Sequence, residues 1–248
     1  MNGQSAIAFD SVSKSFGKRT VLKDVSFKVA AGTAFVLLGR SGTGKSVTLK
    51  LICGLLKADS GSVAVNGEDI TKLESNELAA TRKRIGFLFQ SAALFDSISV
   101  GENVAFPLRR HTKKKDAEIR AQAQSILEKL GLEKEYNSMP GDLSGGMRKR
   151  AGLARALAVE PSILLVDEPS AGLDPVTSME IDELLIDIKT NRHATLVVVT
   201  HNMPSARRIA DRMAFLDGGR LLAEGTVEEL ERSEHRLVRD FMNSRQSG

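Results

Sequence analysis

The sequence predicts an α/β domain built around a mainly parallel sheet flanked by helices, and two observations favour this fold class. Three apolar runs, at residues 34–38, 163–166 and 195–199, contain no charged side chain and have the length of a strand. Such continuous runs are typical of strands that a parallel sheet buries on both faces. A chain of 248 residues, 42% of them hydrophobic, is also long enough to bury one sizeable core. We therefore expect one domain.

A smaller antiparallel β part is predicted within residues 1–75, which are rich in β-branched residues and glycine. Residues 25–29 (V-S-F-K-V) and residues 62–65 (S-V-A-V) alternate in polarity, and the second segment ends at the turn Asn66-Gly67. This alternation is typical of strands with one face in the core and one face in solvent.

The middle of the chain, from about residue 97 to 160, changes to a helix-rich composition of Ala, Glu, Lys, Leu and Arg. One apolar helical face precedes Gly131 and consists of Ile119, Ala123, Ile126, Leu127 and Leu130. A further helix is predicted over residues 176–189, with Asp174 as its cap and Pro175 in its first turn. The last 20 residues resemble a polar helical tail.

The composition argues against several classes of protein. No segment approaches the about 20 consecutive apolar residues of a membrane-spanning helix, and the first residues do not resemble a signal peptide. We therefore expect a cytosolic chain. The single cysteine, Cys53, excludes an internal disulfide and a cysteine metal cluster, and its apolar neighbours favour a packing role.

Positive charge is clustered, although the net charge of +4 and the pI near 9.2 are only mildly basic. The clusters are at residues 82–84, 109–110, 113–115 and 148–150. A solvated surface is the simplest interpretation, and contacts with lipid headgroups or nucleic acid are the alternatives. Because aromatic residues make up only 4% of the chain and Trp is absent, base stacking is poorly supported and no nucleic acid is expected.

The strongest local motif matches G-x-x-x-x-G-K-[ST] and lies between an apolar strand and a helix-like segment. Its residues are Gly39, Arg40, Ser41, Gly42, Thr43, Gly44, Lys45 and Ser46. Glycines let the backbone wrap closely around a phosphate, and the amides and helix N-terminus that follow point at the anion. Lys45 is predicted to bridge the β- and γ-phosphates, and the Ser46 hydroxyl is predicted to ligate Mg²⁺.

A second motif, residues 163–169 (I-L-L-V-D-E-P), places two carboxylates at the end of a buried strand. Asp167 is predicted to bind Mg²⁺, directly or through water. Glu168 is predicted to polarise the attacking water as a general base, a role that contributes about 10²–10⁴ in rate.

A third motif, residues 143–147 (L-S-G-G-M), precedes a cationic, alanine-rich helix over residues 148–158. Ser-Gly-Gly at a helix start offers amides, a hydroxyl and the positive end of the helix dipole to an anion. Together with Gln90, the S-A-G-L-D segment at residues 170–174, and His201 after a strand, these motifs are all present and in order. The series resembles the nucleotide-binding domain of ABC ATPases over almost the whole chain.

The resemblance implies a phosphate-loop (P-loop) NTPase of ABC type that binds ATP and Mg²⁺. It implies that Phe16 stacks on adenine and that Val47 contributes its backbone amide to phosphate binding. It further implies that Gln90 senses the γ-phosphate and Mg²⁺, and that His201 holds the γ-phosphate and Glu168 in line. The presence of Glu168 and His201 argues against a regulator that binds nucleotide without hydrolysis.

The resemblance also implies an obligate dimer, most simply a homodimer, whose subunits associate head to tail. Each ATP would lie between the phosphate loop of one subunit and the L-S-G-G segment of the other. Ser144, Gly145 and Gly146 would complete the opposite site, and Asp174 would couple the two sites.

Two departures from the commonest ABC pattern narrow the family. Met147 replaces the usual glutamine, and Val47 replaces a threonine whose hydroxyl would contribute about 0.5–1.5 kcal/mol. At both positions the sequence resembles the ATPase subunits of Mla-type or Mce-associated transporters, which move phospholipids or other lipids. This resemblance also rests on the segments F-Q-S-A-A-L-F (89–95), N-V-A-F-P-L-R (103–109), L-S-G-G-M-R-K-R-A (143–151) and V-R-D-F (238–241).

The narrower resemblance implies a separate integral membrane permease. It also allows a small regulatory subunit and lipid-binding accessory proteins as further partners. The ATPase would lie at the cytoplasmic side of a bacterial inner membrane. An ABC transporter for another small solute is the alternative. We expect the permease to dock near residues 90–95, where Ala92, Ala93, Leu94 and Phe95 form either an apolar groove or ordinary core.

These assignments divide the chain into four segments. Residues 1–90 and 161–227 are predicted to form the nucleotide-binding core with its antiparallel β part. Residues 91–160 are predicted to form the inserted helical subdomain, and residues 228–248 the C-terminal tail.

Overall fold

The structure, a computed structural model, describes residues 5–243 and contains two sheets with helices packed against them. The strands are β1 (Ser5–Phe16), β2 (Arg19–Ala30), β3 (Ala34–Leu38), β4 (Ser60–Val65), β5 (Glu68–Asp69), β6 (Ile85–Leu88), β7 (Ile163–Asp167), β8 (Thr195–Thr200), β9 (Arg212–Asp217) and β10 (Arg220–Gly225). The α-helices are α1 (Lys45–Ile52), α2 (Ser75–Arg82), α3 (Val100–His111), α4 (Asp116–Lys129), α5 (Gly145–Leu157), α6 (Pro175–Arg192), α7 (Met203–Ile209), α8 (Val227–Glu231) and α9 (Arg236–Asn243).

The larger sheet has the strand order β10-β9-β3-β8-β7-β6. Each pair of neighbouring strands is parallel except the pair β10 and β9, which is antiparallel. Every residue of β3, β7 and β8 is buried, which confirms that the three apolar runs form two-sided core strands. The register aligns Leu38 with Thr200 and Val166 with Val198. The segments that follow these strands therefore emerge at one edge of the sheet.

The smaller sheet is antiparallel, with the order β2-β1-β4-β5, as the alternating segments predicted. Its apolar face packs on the larger sheet through three stacked rings. Phe27 lies 4.5 Å from Phe9 and 5.1 Å from Phe35 of β3, measured between ring centroids. Stacked rings at this distance add to the free energy of burial, so this contact helps to hold the β1–β2 hairpin beside the site.

Helices α3, α4 and α5 pack together, and the five residues of the predicted apolar face of α4 and its C-cap are all buried. Asp174 caps α6 by accepting hydrogen bonds from the Val176 and Thr177 amides, and Pro175 is the first helical residue. Both features were predicted, although α6 continues beyond the predicted end to Arg192.

The C-terminal segment is helical, as predicted, but it is not a purely polar tail. Helix α9 buries Val238 and Met242 in the main core, and Phe241 packs edge-on against Phe215 at 4.9 Å. The Arg207 side chain donates a hydrogen bond to the Met242 carbonyl at 2.8 Å. Residues 244–248 of the predicted tail lie outside the described residues. Over residues 5–243, no helix combines the length and apolarity needed to cross a bilayer.

We expect Met242→Ala to lower the free energy of unfolding by about 2–5 kcal/mol, because it removes a buried side chain and leaves a cavity. Urea unfolding measures the change. Arg236→Ala, at an exposed position of the same helix, is the control and should stay close to wild type. Equal stability of the two variants would mean that α9 does not pack on the core.

Candidate active site

A cleft of about 400 Å³ opens where the carboxyl edge of the larger sheet meets the β1–β2 hairpin. It is lined by Phe16, Arg19, Val21, Ser41, Gly42, Gly44, Lys45, Ser46, Val47, Gln90, Glu168 and His201. The cleft therefore collects the phosphate loop, one strand-end carboxylate, Gln90 and His201 from segments that are distant in the sequence.

The phosphate loop wraps around the Lys45 ammonium group. Lys45 Nζ donates hydrogen bonds to the carbonyls of Gly39 at 2.8 Å and Arg40 at 3.0 Å. Gly44 has φ = 110°, and a Cβ there would lie 2.7 Å from Leu22 Cδ2, so only glycine fits at this point. Arg40 and Thr43 belong to the loop without lining the cleft, and Thr43 Oγ1 closes a turn by donating to the Arg40 carbonyl at 2.9 Å.

Burial lowers the pKa of Lys45, and the nearby Glu168 and Asp167 carboxylates partly oppose this effect. An ammonium group that is largely removed from water is stabilised when an anion binds beside it. The loop is therefore suited to bind the phosphates of a nucleotide.

Ser46 lines the cleft, and its Oγ donates to Asp167 Oδ1 at 2.9 Å, while Asp167 itself lines an adjoining depression. Burial raises the pKa of Asp167, and the hydrogen bond from Ser46 opposes this shift. A hydroxyl and a carboxylate oxygen held together in this way are hard ligands of the kind that Mg²⁺ prefers. These residues fit Mg²⁺, and Gln90 lines the same cleft.

Glu168 is held rigidly at the end of β7. Its Oε1 lies 2.9 Å from His201 Nδ1 and 3.7 Å from Lys45 Nζ, while Thr200 Oγ1 donates to Oε2 at 3.1 Å. Its backbone is left-handed (φ = 47°), a conformation that costs about 1–3 kcal/mol at a non-glycine residue and is concentrated at functional sites. A buried, oriented carboxylate of this kind can accept a proton from water.

Four of the predicted site residues lie elsewhere and do not line the cleft: Ser144, Gly145, Gly146 and Asp174. We call them the signature surface. The Ser144 hydroxyl caps α5 by accepting from the Met147 amide at 3.2 Å. A Cβ on Gly146 would lie 2.4 Å from Thr177 Cγ2, so glycine is required where α5 approaches α6.

Sequence reasoning missed three residues at the site. Val21 lines the cleft, and Arg19 NH2 donates to the Gly42 carbonyl at 3.4 Å across it. Lys149 belongs to a basic cluster for which a solvated surface was expected, but that interpretation is wrong for this residue because its side chain is only 5% exposed. Two features of the sequence could have indicated these residues: the cation Arg19 shortly after Phe16, and the lysine at position 149 inside an alanine-rich helix.

The predicted docking segment divides between the two interpretations. Ala92 is buried and belongs to the core, Leu94 is half-buried, and Ala93 is exposed. Phe95 is exposed and packs against the exposed ring of Phe106 at 5.0 Å. Of these four residues, only Phe95 lines an open groove, which aromatic and basic side chains form together.

A buried lysine in a phosphate-loop motif, a hydroxyl–carboxylate pair that fits Mg²⁺ and an oriented carboxylate beside them are the features of a phosphate-loop enzyme that hydrolyses nucleotides. Residues 22–171 match the ABC transporter family, and the chain belongs to that family. It is the ATP-binding, ATP-hydrolysing subunit of an ABC transporter.

Several known proteins are similar to this chain over most of its length. A probable ribonucleotide transport ATP-binding protein of Mycobacterium leprae is 46% identical over 243 residues, covering 98% of this chain and 70% of that protein. The chloroplastic protein trigalactosyldiacylglycerol 3 of Arabidopsis thaliana is 41% identical over 246 residues, covering 93% and 71%. A methionine import ATP-binding protein of Caulobacter vibrioides is 41% identical over 226 residues, covering 90% and 68%.

A solved structure has the same fold. It is a dimeric ATP-binding cassette in a post-hydrolysis state bound to ADP and phosphate, with a TM-score of 0.83 and 33% sequence identity. The match covers 89% of this chain and 98% of the cassette.

We expect Glu168→Gln to bind ATP with nearly wild-type affinity but to lose about 10²–10⁴ in kcat, because the amide cannot take a proton from water. Equilibrium binding of a fluorescent ATP analogue and steady-state phosphate release measure the two effects. Glu183→Gln, an exposed position on α6, is the matched control. Near-normal turnover of Glu168→Gln would show that another group activates the water.

Proposed function

We propose that two copies of this chain associate head to tail, with the signature surface of each copy closing the ATP cleft of the other. The separation of the two surfaces within one chain is the observation that carries this proposal. Ser144 and Gly145 are exposed at the N-terminus of α5, where the helix dipole favours an anion. The similarity to a dimeric cassette supports the association of two copies.

In this dimer the cleft residues divide the chemistry. The loop amides and Lys45 hold the phosphate charge, and Ser46 and Asp167 would hold Mg²⁺, which supplies charge neutralisation at the phosphate oxygens when bound. The Glu168 carboxylate, oriented by His201, accepts the proton of the attacking water. Because these groups are already positioned, the chemical step requires little reorganisation of the site.

Three other residues would have the roles that the family resemblance implies. Phe16 is 47% exposed and lines the cleft, so its side chain is accessible to adenine. Gln90 lines the ATP cleft and also a second depression beside Asp167, as a residue that senses both γ-phosphate and metal should. Asp174 would couple the two sites from the start of α6.

We expect Ser144→Arg to abolish ATP hydrolysis while leaving ATP affinity of the isolated monomer unchanged, because the new side chain obstructs only the neighbouring copy's cleft. Turnover and fluorescent-nucleotide binding are measured in parallel. Ser125→Arg, at an exposed position of α4, controls for the added charge and size. If Ser144→Arg hydrolyses ATP as fast as this control, the head-to-tail arrangement is wrong.

We propose that the permease docks in a groove of about 250 Å³ beside the helical subdomain, and we call it the permease groove. Aromatic rings line it together with the basic residues Arg82, Lys83, His111 and Arg155. Its aromatic residues are Phe87, Phe89, Phe95 and Phe106. The segment from Gln90 to Phe95 joins this groove directly to the ATP cleft, so a change at the γ-phosphate has a short path to the permease. Exposed aromatic rings are typical of protein interfaces.

We propose that the cargo is phospholipid or another lipid, moved at a bacterial inner membrane with this chain bound peripherally on the cytoplasmic side. The motif resemblance to Mla-type and Mce-associated ATPases supports this, and one relative's name includes a galactolipid. The names of two other relatives refer to ribonucleotide transport and methionine import, so a small solute is the second candidate. A small regulatory subunit and lipid-binding accessory proteins belong to the lipid proposal.

The test is to purify the tagged chain from its native membranes in mild detergent and to identify the co-purifying proteins and lipids by mass spectrometry. We expect a permease with bound phospholipid from wild type, and loss of both from Phe106→Asp. Leu55→Asp is the control, because Leu55 is 52% exposed and Phe106 is 48% exposed. Co-purification with a solute-binding protein and no lipid would favour the second candidate.

A further inference from the structure

Helix α5 holds both loops that carry the reacting groups of the cleft. Lys149 Nζ donates one hydrogen bond to the Gln90 carbonyl at 2.6 Å and another to the Glu168 carbonyl at 2.9 Å. The acceptors follow β6 and β7, which are neighbouring strands of the larger sheet. One buried side chain therefore fixes the separation between these two loops.

Because Lys149 is buried, losing either of these two hydrogen bonds would be energetically unfavourable. An ammonium group removed from water needs acceptors in good geometry, and both acceptors here are main-chain carbonyls of residues at the cleft. A movement of either loop would leave a buried donor without its acceptor. The Gln90 and Glu168 loops are thus constrained to move together with α5.

A second cation on α5 extends this constraint along the loop that follows Gln90. Arg155 donates to the Ala92 carbonyl at 3.0 Å and to the Ala93 carbonyl at 2.6 Å. Both alanines have left-handed backbones, with φ of 60° and 49°, a conformation that alanine adopts only when its surroundings impose it. The loop between the ATP cleft and the permease groove is therefore held to α5 at both ends.

We propose that Lys149 is a positioning residue that sets Gln90 and Glu168 relative to the γ-phosphate and ties both to the helix whose N-terminus closes the partner copy's site. This rests on the proposed head-to-tail dimer. When ATP draws the N-terminus of α5 into the opposite cleft, Lys149 carries the movement to the catalytic loops of its own cleft. The two sites then reach their reactive geometry together.

The experiment compares Lys149→Met, Lys149→Arg and Arg150→Met in the full chain purified with its membrane partner. Methionine keeps the length and apolar stem of lysine and removes the donors, whereas arginine keeps donors. Arg150 lies on the same helix and pairs with Glu180, so its variant controls for loss of a cation from α5.

We expect Lys149→Met to lower kcat about 10- to 100-fold, as misplacement of catalytic groups does, with KM for ATP and nucleotide affinity within about twofold of wild type. We also expect the dependence of rate on ATP concentration to lose its cooperativity. Lys149→Arg should recover part of kcat, and Arg150→Met should behave as wild type.

Two outcomes would overturn the proposal. One is a kcat of Lys149→Met within twofold of Arg150→Met. The other is a parallel loss of kcat, nucleotide affinity and melting temperature that Lys149→Arg does not restore, which would mark a residue needed only for folding. Failure of the dimer proposal is detected by two other measurements. They are an absence of cooperativity in the wild-type protein and undiminished ATP hydrolysis by Ser144→Arg.

Discussion

The site depends on the parallel register of β3, β8 and β7, because this register sends the segments after three buried strands to one edge of the sheet. Leu38 aligns with Thr200, and Asp167 with Val199, so the phosphate loop, His201 and Glu168 begin at the same level. The strands contribute mainly apolar packing, and their last residues, Asp167 of β7 and Thr200 of β8, make hydrogen bonds at the site. The burial of the strands fixes the positions from which the polar groups of the site extend.

Much of the fold could be predicted because its strongest signals are local. Uninterrupted apolar runs and the face at residues 119–130 report burial directly, whereas the order of strands in the larger sheet is a property of distant pairings that local patterns do not contain. The helical character of the C-terminal segment was predicted, but the burial of its apolar side chains was not, for a related reason. Val238 and Met242 are four positions apart in a largely polar segment, and their burial depends on the core surface they meet, which includes Phe215.

The site residues also divide into those that local motifs predict and those that depend on distant contacts. Lys45, Ser46, Asp167 and Glu168 lie in contiguous motifs whose spacing already encodes their geometry. Lys149 was missed because burial of a lysine is normally unfavourable, and a cationic run normally indicates a solvated surface. Here two main-chain carbonyls from different loops stabilise the ammonium group, and only the tertiary structure brings them to it. A charge pattern cannot report acceptors that belong to the backbone of other segments.

Electrostatics within one chain gives a reason for the proposed dimer. In each cleft Lys45 already faces the Glu168 carboxylate at 3.7 Å, with Asp167 close by, so a polyphosphate adds negative charge to a site that contains two acidic groups. The N-terminus of α5 contributes positive potential, but on a surface that its own cleft does not include. A second copy can bring that potential to the phosphates. In the proposed dimer, hydrolysis and phosphate release would remove the charge that attracts the two copies. Helix α5, which holds the Gln90 loop, would be the element through which this loss reaches the proposed permease groove.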